Sequence, residues 1–223
     1  MAKASPDGGP GPLVLGTTNA GKLRELTAML APHGIACLSL ADVTGAVEVD
    51  ETGDTFAANA ALKATAQARA LVRWVLAEDS GLVVPALDGD PGVRSARFAG
   101  PPPPGESAPT DERNNRLLLE RLAGRPADAR AAFFACHAAL ADPHGVIVAT
   151  ASGTCHGRIA DAPRGPGGFG YDPLFVVREY DRTFAELGRA FKAVVSHRGR
   201  AMRALLPQII RRLGGGPTER QAD

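Results

Sequence analysis

Two long apolar runs, AAFFACHAALAD and GVIVATASGTCHG, meet at Pro143, His144 and Gly145, and no other feature restricts the possible folds of this chain as much. Pro and Gly at the junction are turn residues, and the runs beside them are long enough to be strands, so the pair predicts a β-hairpin. A hairpin is antiparallel by construction. Around it, helix and strand signals alternate. LVLG (Leu13 to Gly16) predicts a short strand, and the spacing of Leu23, Leu26 and Leu30 a helix from about Ala20 that stops before Pro32. ETGDTFAANAALKATAQARALV predicts an alanine-rich helix behind Thr and Asp capping candidates, and WVLAEDSGLVV a strand interrupted by a polar corner at Glu78, Asp79 and Ser80. PPPPGESAP (Pro101 to Pro109) reads as a loop, NNRLLLERL as a helix, and Met202, Leu205, Leu206 and Ile209 mark a final helix. With the hairpin, this alternation predicts an α/β fold on a mixed sheet rather than an all-parallel one. No internal repeat is visible.

The 223 residues are enough for one large domain or two small lobes, and 44% hydrophobic content can build a core. MAKASPDGGPGP and GGGPTERQAD read as flexible tails, so residues 1–12 and 214–223 are expected to flank a single domain over 13–213. A formal net charge of +1 argues against a general nucleic-acid binder. The charge is unevenly placed, however. Acids dominate from Glu48 to Asp90, and bases dominate from Arg178 onward, so a site drawing on both halves could hold a cation and a polyanion together. Cys37, Cys136 and Cys155 form no C-x-x-C pair and are odd in number, which suits a reducing compartment. No signal peptide and no run of about 18 apolar residues is present, so the expectation is a soluble, cytoplasmic protein without a membrane partner.

Lysine is scarce here, and three of the few that occur, Lys22, Lys63 and Lys192, fall in segments suited to phosphate chemistry. A compact ammonium acts as a point charge, whereas arginine offers a planar fork. In GTTNAGKLRE a strand ends in a small polar turn that opens a helix, directing backbone N–H groups and Lys22 at one spot. The spacing matches a phosphate loop, but Leu23 replaces the hydroxyl residue that would hold magnesium there. A metal would then need carboxylates from elsewhere. Glu51 precedes the alanine-rich helix, on which Asn59 and Lys63 share a face, and Glu78 and Asp79 lie on the following strand. In GGFGYDP, glycines free Phe169 to lie flat against a partner, and Asp172 can accept from ring N–H groups. His197 and Arg198 in SHRG supply adjacent donors, completing what a nucleobase requires.

In order along the chain stand T-x-N-x-x-K (Thr17 to Lys22), E-T-G-x-T-F-x-x-N-A-x-x-K (Glu51 to Lys63), E-D-S-G-L (Glu78 to Leu82), P-G-x-x-S-A-R (Pro91 to Arg97), G-F-G-Y-D-P (Gly168 to Pro173) and K-x-x-x-S-H-R (Lys192 to Arg198). This set resembles the inosine triphosphate pyrophosphatase family, over about Leu13 to Leu213. The resemblance implies an elongated α/β structure, a long mixed sheet with a lobe at each end and the nucleotide in the groove between them, in a homodimer. It implies Mg2+-dependent hydrolysis of ITP, dITP and XTP to the monophosphate and pyrophosphate. Carried over, it makes Thr17, Thr18, Asn19, Ala20, Gly21 and Lys22 the triphosphate loop, Glu51 and Asp79 the magnesium ligands, and Asp79 also the proton acceptor. Lys63, Ser80, Phe169, Gly170, Tyr171, Asp172, Lys192, His197 and Arg198 would be the other substrate contacts. Glu78 stands where many members have Asp, and Pro101 to Pro109 matches no motif. Three other readings compete: a phosphate-loop kinase or ATPase, a non-catalytic nucleotide-binding protein, and a Maf-like pyrophosphatase of different base preference.

Overall fold

The computed structural model describes residues 11–214, so the two expected tails lie outside the described residues except for Gly11, Pro12 and Gly214. Seven strands form one mixed sheet: β1 (Leu13–Leu15), β2 (Cys37–Ser39), β3 (Val75–Val83), β4 (Ala131–Ala141), β5 (Ile147–Ile159), β6 (Phe175–Val177) and β7 (Arg182–Thr183). Their order is β2-β1-β3-β4-β5-β6-β7. The first three strands pair in parallel and every later pair is antiparallel. The hairpin read from the sequence is β4 and β5, in register from Ala131↔Arg158 to Leu140↔Ala149 with a one-residue shift before Ala141↔Ile147, and it forms the sheet's centre.

Helices α1 (Ala20–Leu30) and α6 (His197–Leu213) cover one face, and α2 (Phe56–Leu71) covers the other. Strand alternation sorts the core between them. Leu13, Leu15, Leu76, Ala138 and Leu140 pack with Leu26, Leu30, Met202, Leu205 and Ile209. Val14, Val75, Ala77, Ala139 and Ala141, the residues between, pack with Ala60, Ala64, Ala68 and Leu71. Alanine dominates this second layer, which lets α2 approach the sheet closely. A third cluster fills the opposite end, where Leu82, Phe134, Tyr171, Phe175 and Phe184 meet Leu118 of α3 (Thr110–Arg121) and Leu122, which caps it. Short helices α4 (Phe184–Leu187) and α5 (Arg189–Val195) connect β7 to α6. The apolar core thus concentrates at two ends of one sheet.

One expectation fails. WVLAEDSGLVV is not interrupted at its polar residues: β3 pairs with β4 without a break from Val75↔Ala141 to Val83↔Phe133. The ladder satisfies the backbone whatever the side chains are, so acids in mid-strand need partners on the two faces, not a turn. Among the described residues, no helix is long and apolar enough to cross a membrane.

Candidate active site

The alternation that sorts the core also sorts the polar residues of β3. Glu78 and Ser80 continue the Leu76 side, toward α1 and α6, while Asp79 continues the Ala77 side, toward α2. β1 pairs with β3 only as far as Leu15↔Leu76, where Gly16 N–H donates to Leu76 O at 2.8 Å. Between that point and Leu82, whose N–H donates to Ser95 Oγ at 2.9 Å, no strand pairs with this edge, and one pocket reaches groups from both faces. It is lined by Asn19, Lys22, Glu51, Asp79, Ser80, Phe169, Gly170, Tyr171, Asp172, Lys192, His197 and Arg198, together with Gly81, Val93, Ser95, Ala96, Asp111 and Phe134.

On the α1/α6 side, buried cations and carboxylates alternate. Lys22 Nζ lies 3.0 Å from Glu78 Oε1, which Arg198 Nη2 also reaches at 3.1 Å. Arg198 donates further to Ser80 Oγ at 2.9 Å and, through Nη1, to Glu25. Lys192 bridges Glu25 at 3.0 Å and Asp172 at 2.6 Å. Its ammonium stands 4.1 Å from the centroid of Phe169, a cation–π contact. On the α2 side, Lys63 donates to Glu51 at 2.5 Å and to Asp79 at 3.4 Å. Asn59 Nδ2 donates to the other Asp79 oxygen at 3.2 Å, and Arg97 donates to Glu51 at 3.0 Å.

These partners divide the acids. Burial pushes Asp79 above its ordinary value, against the pull of Lys63 and Lys22. In Glu51 burial works upward too, but the Lys63 and Arg97 hydrogen bonds and charges prevail and hold it low. Glu78 is fully buried, which works upward, yet the charges of Arg198 and Lys22 hold it well below the carboxylate range. His197 goes the other way: burial, then the neighbouring Arg198 and Lys192, push it far below 6.5. The imidazole is therefore neutral, stacked 4.6 Å from Phe134 at an interplanar angle of 9°. Its Nδ1 and the Nε of Arg198 are buried without hydrogen-bond partners.

Several expected placements change in detail. Asn19 caps α1, accepting Gly21 N–H at 2.9 Å and Lys22 N–H at 3.0 Å, so two donors expected to face an anion are already engaged. Of Thr17, Thr18, Asn19, Ala20, Gly21 and Lys22, only Asn19 and Lys22 line the pocket. Gly21 instead lies against Phe169: a Cβ there would sit 2.7 Å from the ring. Lys63 stands behind Glu51 and Asp79 rather than on the pocket wall. Asp172 Oδ2 already accepts from Lys192 and from Phe169 N–H. Sequence reasoning missed Glu25, Phe134, Cys136, Ser95 and Asp111. Glu25 follows Lys22 at helical i+3 spacing, a usable signal. Phe134 and Cys136 arrive only through register, opposite Leu82 and Ser80, with Cys136 Sγ donating to Glu78 at 3.1 Å.

The fold and pocket define a mixed α/β protein that gathers buried lysines, an arginine and carboxylates at the edge of a central strand. The sequence model of the Ham1 family matches residues 13–208, and the chain belongs to that family. It is 53% identical over 199 residues to the dITP/XTP pyrophosphatase of Rhodopirellula baltica, covering 89% of this chain and 93% of that one. It is 52% identical to the dITP/XTP pyrophosphatase of an Exiguobacterium species, covering 89% and 96%. The solved structure of a HAM1 protein from Coxiella burnetii superposes with a TM-score of 0.77 at 36% identity, covering 90% of this chain and 98% of that one.

Proposed function

We infer that this chain, as one domain over residues 13–213, hydrolyses noncanonical purine nucleoside triphosphates (ITP, dITP and XTP) to the monophosphate and pyrophosphate. Two relatives more than half identical to it carry the name dITP/XTP pyrophosphatase. The observation that carries the reading is geometric: Glu51 and Asp79, brought from different elements to within 2.5 Å and 3.4 Å of Lys63 Nζ, line the same pocket as Lys22, Lys192 and Arg198. Paired carboxylates beside several cations suit a metal-assisted attack on a polyphosphate.

The donor set also fits a divalent cation. Lys63 Nζ is within 3.4 Å of both acids, so one positive centre can serve both. Among the described residues no group of three or more His, Cys, Asp or Glu converges to hold a metal. Magnesium accepts such a site, because it binds one or two carboxylates and completes its shell with phosphate oxygens and water. Bound there by Glu51 and Asp79, it would supply charge neutralisation on the triphosphate.

The chain's own residues then divide the work. Lys22 and Lys192, already matched to carboxylates, offer their ammonium groups to phosphate oxygens. Asp79 takes a proton from the attacking water, in line with the α-phosphorus, and pyrophosphate leaves. Phe169 presents its ring to the base, with His197 and Arg198 as reading groups. A homodimer and a cytoplasmic location belong to the same reading; sedimentation of the purified protein checks the first. The deciding experiment is product analysis with a panel of nucleoside triphosphates: pyrophosphate from dITP and XTP supports the assignment, and orthophosphate as the first product rejects it.

A further inference from the structure

Asn59 on α2 has no part in the reaction just described, yet it is completely buried and both ends of its amide are engaged. Nδ2 donates to Asp79 Oδ2 at 3.2 Å, and Oδ1 accepts Gly53 N–H at 2.8 Å. Gly53 follows Glu51 by two residues, so one side chain ties the segment that carries one acid to the carboxylate of the other. The segment is closed tightly on it: a Cβ at Gly53 would lie 2.7 Å from both Asn59 Oδ1 and Ala58 Cβ. Lys63, one turn further along α2, also touches both acids, but through a flexible ammonium whose bonds are weakly directional. An amide is neutral, planar and fixed in which end donates. Burying it adds nothing to stability that an apolar side chain of similar size would not supply, since an amide must first be desolvated.

We propose that Asn59 is a positioning residue for hydrolysis. It fixes the orientation of the Asp79 carboxylate by occupying Oδ2, leaving Oδ1 toward Lys63 and the reacting centre. Through Gly53 it also sets where the Glu51 segment lies relative to Asp79. The inference rests on the reading of Glu51 and Asp79 as working carboxylates.

Two substitutions test it. Asn59→Asp keeps the size and the acceptor for Gly53 N–H but turns the donor facing Asp79 into an oxygen. Asn59→Ala removes both bonds. Steady-state turnover of dITP is compared with wild type, with rates normalised to the folded fraction from thermal denaturation. Both variants are expected to lose about 10- to 100-fold in kcat, the range typical of a group that orients a working ligand. KM for dITP should move less than about threefold, because Lys22, Lys192 and the Phe169, His197 and Arg198 side of the pocket are untouched. Amide exchange adds a readout independent of turnover: the Gly53 N–H should stay protected in Asn59→Asp and exchange faster in Asn59→Ala. A normalised kcat within about twofold of wild type in both variants overturns the proposal. So does a loss of kcat matched by an equal loss of folded protein. Wild-type protein that fails to cleave dITP would instead reject the functional reading itself.

Discussion

Lys22 shows how much a single charged group depends on its company. Its ammonium meets Glu78 Oε1, and the Arg198 guanidinium meets the same oxygen. Replacing Lys22 by Arg would set two planar forks against one carboxylate atom, in a space shaped for a point donor. We therefore predict that Lys22→Arg lowers kcat/KM by at least about tenfold despite keeping the charge. Equal kcat/KM in the two proteins would show that charge alone matters there. Asp79 is the sharper case, because in the proposed mechanism its loss removes a ligand and a base together. Asp79→Asn should reduce kcat by about 10²- to 10⁴-fold, the usual worth of a positioned proton acceptor. The folded state should survive, since an amide is more easily buried than a carboxylate; activity near that of wild type would discard the assignment.

Helix termini set what the elements can present. Asn19 engages two N-terminal donors of α1, and Gly21 behind it gives Phe169 a flat surface. Gly21→Ala should displace the ring and raise KM for dITP while leaving the fold intact, as near- and far-ultraviolet dichroism would verify. The other end of α2 carries a defect unrelated to the pocket. Val72 terminates the helix in the left-handed region, at φ 51° and ψ 47°, with 60% of its surface exposed. A β-branched residue is strained there, and glycine is not. Val72→Gly sacrifices little burial, so it should stabilise by about 1 kcal/mol and raise the melting temperature by about 2–4 °C. A lower melting temperature in the variant would show that Val72 packs more tightly than its exposure indicates.

For the molecule as a whole, acid is the expected weakness. His197 is buried neutral with a folded-state value far below 6.5, whereas in the unfolded chain it titrates near 6.5. As pH falls through 6.5 the unfolded state gains a proton that the folded state refuses, so stability is lost in that direction. Glu78, held low in the folded state, adds a second loss as pH falls through 4.5. Urea midpoints should therefore decrease between about pH 7 and pH 5.5, and His197→Phe, which keeps the stack on Phe134, should flatten that decrease. A decrease as steep in the variant would assign the effect elsewhere. Base selection is also decided at this scale, since the pocket joins both ends of the chain. A pocket that donates to a 6-oxo group leaves those donors unpaired against adenine, so dITP should be preferred over ATP by as much as about 10⁴-fold. Comparable rates on the two nucleotides at equal concentration would remove His197 and Arg198 from base reading.

The sequence alone determined the elements whose signals are local. Turn residues at Pro143 to Gly145 set the central hairpin, leucine spacing set α1, and capping candidates ahead of an alanine-rich run set α2. The lysines and acids could be named because charged residues stand out against apolar runs. Tertiary structure decided what each of them faces. Glu78 and Asp79 are neighbours in sequence but serve opposite faces of β3, a division produced by strand alternation once the β4 ladder keeps the strand continuous. Phe134, Cys136 and Glu25 join the site through register and helix packing, which are set by pairings between distant residues. Local patterns fix which residues can form an element; only the pairing of distant strands and the packing of helices on the sheet bring Lys22, Asp79, Phe169 and Arg198 around one strand edge.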